Sequence, residues 1–101
     1  MTISKIIPTD ATDFEVPADS RAYINTVTLA PNQTGTVTGG TLTVKCKADG
    51  AAEFEDIDPN TIDLASPQRL EIQGKVGAYS FTVTGFAGTA TELYIGLDTD
   101  R

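Results

Sequence analysis

The chain has 101 residues, 40% of them apolar, and fourteen acidic side chains against seven basic ones give it a net charge of −7. That length suits one domain with one core, and with no Trp the packing must come mainly from Val, Ile, Leu and Ala. The acidic surplus repels phosphate backbones, so no nucleic-acid partner is expected, and it favours solubility.

Cys46 is the only cysteine and there is no histidine, so no disulfide can form within the chain. Serine or cysteine nucleophiles paired with imidazole, and the usual zinc ligand sets, cannot be assembled. No apolar run reaches the length of a signal peptide or a membrane-spanning helix, so neither export by that route nor a membrane role is expected. These features together predict a noncatalytic chain with no cofactor.

Apolar residues recur with period two and not near 3.6, and Pro, Gly, Asn and Asp punctuate the chain about every ten residues. The expected fold is all-β, a single antiparallel β-sandwich, jelly-roll or Ig-like, of about seven to eight strands spanning 1–101. A closed barrel has the same spacing.

The first expected strand covers 3–7 and stops at Pro8, whose missing N–H suits an edge strand; the alternative for 1–8 is an arm laid on a neighbour. The second, 13–16, carries Phe14 and Val16 on one face before a turn at Pro17, Ala18 and Asp19. In 21–30, Tyr23, Asn25, Val27 and Leu29 share a face, and Val27 and Leu29 at the far end are expected inward, although Ile24 on the other face leaves the register open. Residues 31–40 read as a polar loop with a short strand at 36–38.

The clearest strand is 41–48, with Leu42, Val44, Cys46 and Ala48 inward and Thr41, Thr43, Lys45 and Lys47 outward. Asp49 and Gly50 signal a turn into 53–57, which returns as a hairpin partner. Asp58, Pro59 and Asn60 break the chain, and short strands are expected at 61–64 and 69–73. Tyr79, Phe81 and Val83 alternate with polar residues up to a turn at 85–88. Leu93, Ile95 and Leu97 alternate in the last strand, 92–97, which forms a hairpin or a sandwich crossing with the one before it, and 98–101 should fray.

Few residues invite chemistry. Cys46 fits a small buried hydrophobe better than a reactive thiol, because Lys45 and Lys47 point to the opposite face. The acidic run Glu53, Glu55, Asp56, Asp58, Asn60 and Asp63 resembles part of a calcium loop, but counting from Asp56 the required Gly and terminal acid are Thr61 and Pro67. A solvated turn explains the run, and no metal site is expected. Gly39 and Gly40 precede no helix, so they make no phosphate loop. Asn32, Gln33 and Thr34 match a glycosylation acceptor and read as loop composition. Among Tyr23, Tyr79 and Tyr94, the last is the best candidate for an exposed ring that could stack on a sugar.

Residues 79–95 read Tyr-Ser-Phe-Thr-Val-Thr-Gly-Phe-Ala-Gly-Thr-Ala-Thr-Glu-Leu-Tyr-Ile, with Ile72, Gln73 and Gly74 upstream. This run, about a quarter of the chain, resembles the C-terminal end of small structural proteins of tailed bacteriophages and prophages. The resemblance implies a virion component, either a head decoration or stabilisation protein or a piece of tail or fibre. Such a protein would assemble in host cytoplasm as a homo-oligomer docked on other virion proteins. A carbohydrate- or protein-binding sandwich module is the alternative.

Overall fold

The computed structural model describes residues 2–18, 22–48 and 50–99, the side chains of 2, 3, 58 and 59 excepted. Eight strands follow one another: β1 (Thr2–Pro8), β2 (Phe14–Pro17), β3 (Ile24–Leu29), β4 (Val37–Ala48), β5 (Glu55–Asp63), β6 (Leu70–Gln73), β7 (Val76–Gly88) and β8 (Glu92–Thr99). They form two four-stranded antiparallel sheets, ordered β1-β8-β3-β6 and β2-β7-β4-β5. β1 pairs with β8, β2 with β7, β3 with β6 and β4 with β5, which is the ladder of one long hairpin with its tip at β4–β5. The further pairings β3–β8 and β4–β7 roll that hairpin into two layers, the arrangement of a jelly roll. An Ig-like order would set β1 beside β2, and a closed barrel would leave no edge strands.

One core fills the space between the sheets. Val27, Leu70, Ile72, Leu93, Ile95 and Leu97 come from the first sheet, and Val16, Leu42, Val44, Cys46, Ile62, Tyr79, Phe81 and Val83 from the second. The period-two reading is correct at these positions because cross-strand partners share a face: Leu42 sits opposite Val83, Val44 opposite Phe81 and Cys46 opposite Tyr79. Ala48 departs from the pattern. The register shifts between Lys47 and Ala48, and Ala48 is exposed.

β3 takes the expected register, with Val27 buried and Leu29 packed against the core, Asn25 on the same face at 1% exposure, and Ile24 on the other face at 40%. Asn25 can be taken inside because its Nδ2 donates to Gly74 O at 3.1 Å, although its Oδ1 has no partner. At the other end of the fold, β1 is paired along its whole length with β8, from Thr2 opposite Asp98 to Pro8 opposite Glu92. The first segment is therefore an edge strand of the chain's own sheet and not an arm. Asp98 and Thr99 continue β8, and Asp98 lies 3.5 Å from the Arg69 guanidinium, so these two do not fray; residues 100 and 101 lie outside the described residues.

Three expected breaks are instead strand interiors. β5 runs through Asp58, Pro59 and Asn60 as a bulge, with Thr43 opposite Thr61 and Lys45 opposite Asp56, so that Val44 faces the four residues 57–60. On an edge strand a proline at a bulge costs no interior ladder bond. β4 begins at Val37 and passes through Gly39 and Gly40, and β7 continues to Gly88, with Val37 opposite Gly88 and Gly39 opposite Ala87. The glycines of the two strands meet at the same height, where both strands shift register. β7 and β8 lie in different sheets, so their connection is a crossing and not a hairpin.

Candidate functional site

The β3–β4 loop and the β7–β8 connection lie at the same end of the sandwich, and side chains tie them together. Gln33 behaves as a piece of strand: its Nε2 donates to Ala30 O at 2.8 Å and to Tyr94 O at 2.9 Å, while its Oε1 accepts from Tyr94 N at 2.9 Å. Thr34 Oγ1 donates to Glu92 O at 3.2 Å and accepts from Thr91 N at 3.1 Å. Thr36 and Thr89 bond reciprocally, each hydroxyl accepting from the other's backbone N–H at 2.9 and 3.0 Å. Gly35 and Gly88 admit this closeness, since a Cβ on Gly35 would lie 2.7 Å from Thr89 Oγ1 and one on Gly88 would overlap Thr36 O. The loop read as the least structured part of the chain is thus pinned at three of its residues, Gln33, Thr34 and Thr36.

Removing the Gln33 amide should be measurable. Gln33→Ala leaves Tyr94 N–H without its acceptor and strips one donor from Tyr94 O, at a partly buried place that water can reach. A loss of about 1–2 kcal/mol is expected, read as a fall in melting temperature of roughly 4–12 °C for a domain of this size. No change in melting temperature would mean that water replaces the amide fully.

The other singled-out residues do not converge. Cys46 is buried on the inner face, and burial pushes its thiol from 9.0 up to about 11. Lys45 lies opposite Ser80 and Asp56 on the outer face, and Lys47 reaches Glu15 at 4.0 Å and stands 4.9 Å over the Phe54 ring. Of the acidic run, Glu55, Asp56 and Asp63 are strung along edge strand β5, and Asp63 Oδ1 accepts from Ala65 N at 2.9 Å. Among the described residues no three acidic or cysteine side chains approach closely enough to hold a metal ion; the Asp58 side chain lies outside them.

The three tyrosines make no common platform. Tyr79 is buried and stacks on Phe81, with ring centroids 5.8 Å apart. Tyr94 is half-buried on the outer face of the first sheet, opposite Ile6, while Tyr23 is 60% exposed at the far end. Ala30 N bonds Tyr94 O, and Tyr23 precedes Ala30 by seven residues, about 23 Å along an extended strand. Surface clefts beside the pinned loop are open and small, about 280 Å³ where Pro31, Gln33, Leu64 and Pro67 meet and about 360 Å³ between Thr28 and Arg69. The second reaches only the lower end of the range for small-molecule sites.

No family model, curated protein or solved structure matches this chain. Among the described residues no helix is long and apolar enough to cross a membrane.

The Cys46 environment makes an alkaline prediction. Below about pH 8 the thiol is almost wholly neutral in both states, so its burial leaves stability nearly unchanged with pH. Between about 9, where the unfolded thiol ionises, and about 11, where the folded one does, the unfolded state gains. Burial, with added repulsion from Cys46, also raises the Tyr79 phenol and acts in the same direction. Stability from urea titrations should be nearly flat to about pH 8 and then fall by an amount on the order of 2–3 kcal/mol by pH 11. At pH 8 the folded thiol should label with Ellman's reagent about a hundredfold more slowly than in the urea-unfolded chain, since thiolate is the reacting form.

Proposed function

We propose that the chain is a noncatalytic structural component of a phage or prophage particle, a head decoration or stabilisation protein or a piece of tail or fibre, acting by self-association and docking on other virion proteins. The observation that carries this reading is how residues 79–95, the run that resembles phage structural proteins, are used. They form β7, β8 and the crossing between them; Phe81, Val83, Leu93 and Ile95 pack the core, and Thr89 and Thr91 pin the β3–β4 loop. That is the use expected of a scaffold. The jelly roll adds a fold-level analogy, because capsid domains are among the proteins built on it.

The test is to purify particles after prophage induction from a strain that encodes the chain, to identify their proteins by mass spectrometry, and to locate the chain with immunogold. Stoichiometric chain and gold confined to heads or to tails support the proposal. Particles without the chain overturn it.

A second reading, a carbohydrate- or protein-binding sandwich module, is favoured by the 60% exposed ring of Tyr23 beside Ile24 at one end of the sandwich. Jelly rolls also host lectins. Glycan-array binding lost in Tyr23→Ala, together with absence from particles, would favour it.

A further inference from the structure

We infer that the open edge of β1 is a pairing surface for a second copy of this chain, joined antiparallel about a two-fold axis at Ser4 so that the two first sheets continue as one. The inference rests on the self-association in the reading above and gives it a surface.

The direction of the edge groups follows from Tyr94. Its N–H and C=O are both taken from the β3 side, by Gln33 and by Ala30, and β8 lies between β1 and β3. Ile6, opposite Tyr94, is therefore in a pair that exchanges no ladder bond, so its own N–H and C=O point away from β8. By alternation the same holds for Thr2, Ser4 and Pro8. Pro8 has no N–H to present, and its C=O already accepts from Ala11 N at 3.2 Å. Thr2, Ser4 and Ile6 are left as a row of outward backbone groups that no described residue bonds.

The other three edges are closed to a partner. β2 is four residues long, ends in Pro17 and carries Glu15. β6 is four residues long and carries Glu71. β5 is bulged at 57–60, contains Pro59 and carries Glu55, Asp56, Asp58 and Asp63. β1 runs for seven residues without a bulge and, among the described residues, is the only edge strand without an acidic residue. For two copies that each carry a net charge of −7, that is the edge where approach meets least repulsion.

The same residues fix the register. An axis at Lys5 would set two ammonium groups directly opposite each other, which is destabilising. An axis at Ile6 would set Ser4 against Pro8 of the second copy, where there is no N–H to donate. An axis at Ser4 pairs Ser4 with its own copy and Thr2 with Ile6, and every outward group finds a partner, about six bonds in all. The two lysines then sit on the diagonal, on the face turned into each sandwich. Seven residues a side fall well short of the roughly 1,200 Å² of a standard interface, so the dimer should be weak. In a particle it would be reinforced by the other contacts each copy makes.

Sedimentation velocity and amide exchange by NMR on the full chain, from 20 µM to 2 mM, test this. The mass should rise from monomer toward dimer, and the Ser4 and Ile6 amides should exchange about tenfold more slowly at the upper concentration, while Lys5 and Ile7, which bond β8, stay constant. Ser4→Pro, which removes only an outward N–H, and Ile6→Glu, at a position 54% exposed, should each weaken dimerisation at least tenfold. Using both guards against one variant failing to fold. Ser4 and Ile6 amides that ignore concentration overturn the inference, as does association that neither variant alters. In that last case the chain still self-associates by another surface, and the particle reading stands or falls on the mass spectrometry of particles alone. Capture of an unrelated extended segment on β1, with no dimer, overturns the second-copy occupant.

Discussion

Phe81→Ala is expected to lose about 3–5 kcal/mol, the largest effect of any single truncation in this core, and to leave a chain that is partly unfolded at 37 °C. Phe81 is fully buried on β7, the strand that pairs with both β2 and β4. Its cross-strand partners are Phe14 and Val44, and its ring stacks on Tyr79 at an interplanar angle of 24°. Removing it leaves a void bounded by three strands that are all held in place by backbone ladders, so little collapse can offset the loss. Phe14→Ala is the comparison. Phe14 is 38% exposed on the short edge strand β2, and its truncation should cost about 1–2 kcal/mol. Urea titrations of both variants check the pair. A Phe81→Ala midpoint no lower than that of Phe14→Ala would mean that the core is not centred on β7.

What the sequence makes legible is what depends on neighbours along the strand. Leu42, Val44 and Cys46, then Tyr79, Phe81 and Val83, then Leu93, Ile95 and Leu97 alternate cleanly, and each set is buried. Pro8 marks its strand as an edge because a missing N–H is a local property, and it lies where an outward N–H would be. What depends on a distant partner is not legible. Gly39–Gly40 and Gly85–Gly88 each read as a turn, yet opposite each other they form a bend shared by two long strands. Gln33, Thr34 and Thr36 read as loop composition, and their partners are 53 to 61 residues away. Alternation carries Asn25 inward with Val27, but Gly74 O, the partner that lets its amide be buried, lies 49 residues away and is not written in any periodicity. The β1 edge was legible as an edge, but the choice of it over the other three needed the strand order, the β5 bulge and the direction of Tyr94.

Gly88→Ala should cost at least about 3 kcal/mol, from two separable causes. Gly88 has φ of 140°, a region costing about 1–3 kcal/mol for any other residue, and an added Cβ would also overlap Thr36 O and crowd Val37 Cα at 3.0 Å. Gly74, with φ of 105°, would place its Cβ in open space, so Gly74→Ala carries the conformational cost alone. The difference between the two variants' urea midpoints therefore measures the close approach of the β3–β4 loop to the β7–β8 crossing. Because the clash falls on Thr36, the Gly88→Ala variant should also lose protection at the Thr36 and Thr89 amides, which bond each other's hydroxyls, while the amides of β4 from Leu42 to Cys46 keep theirs. Equal costs for the two variants would mean that Gly88 serves only its own backbone angle.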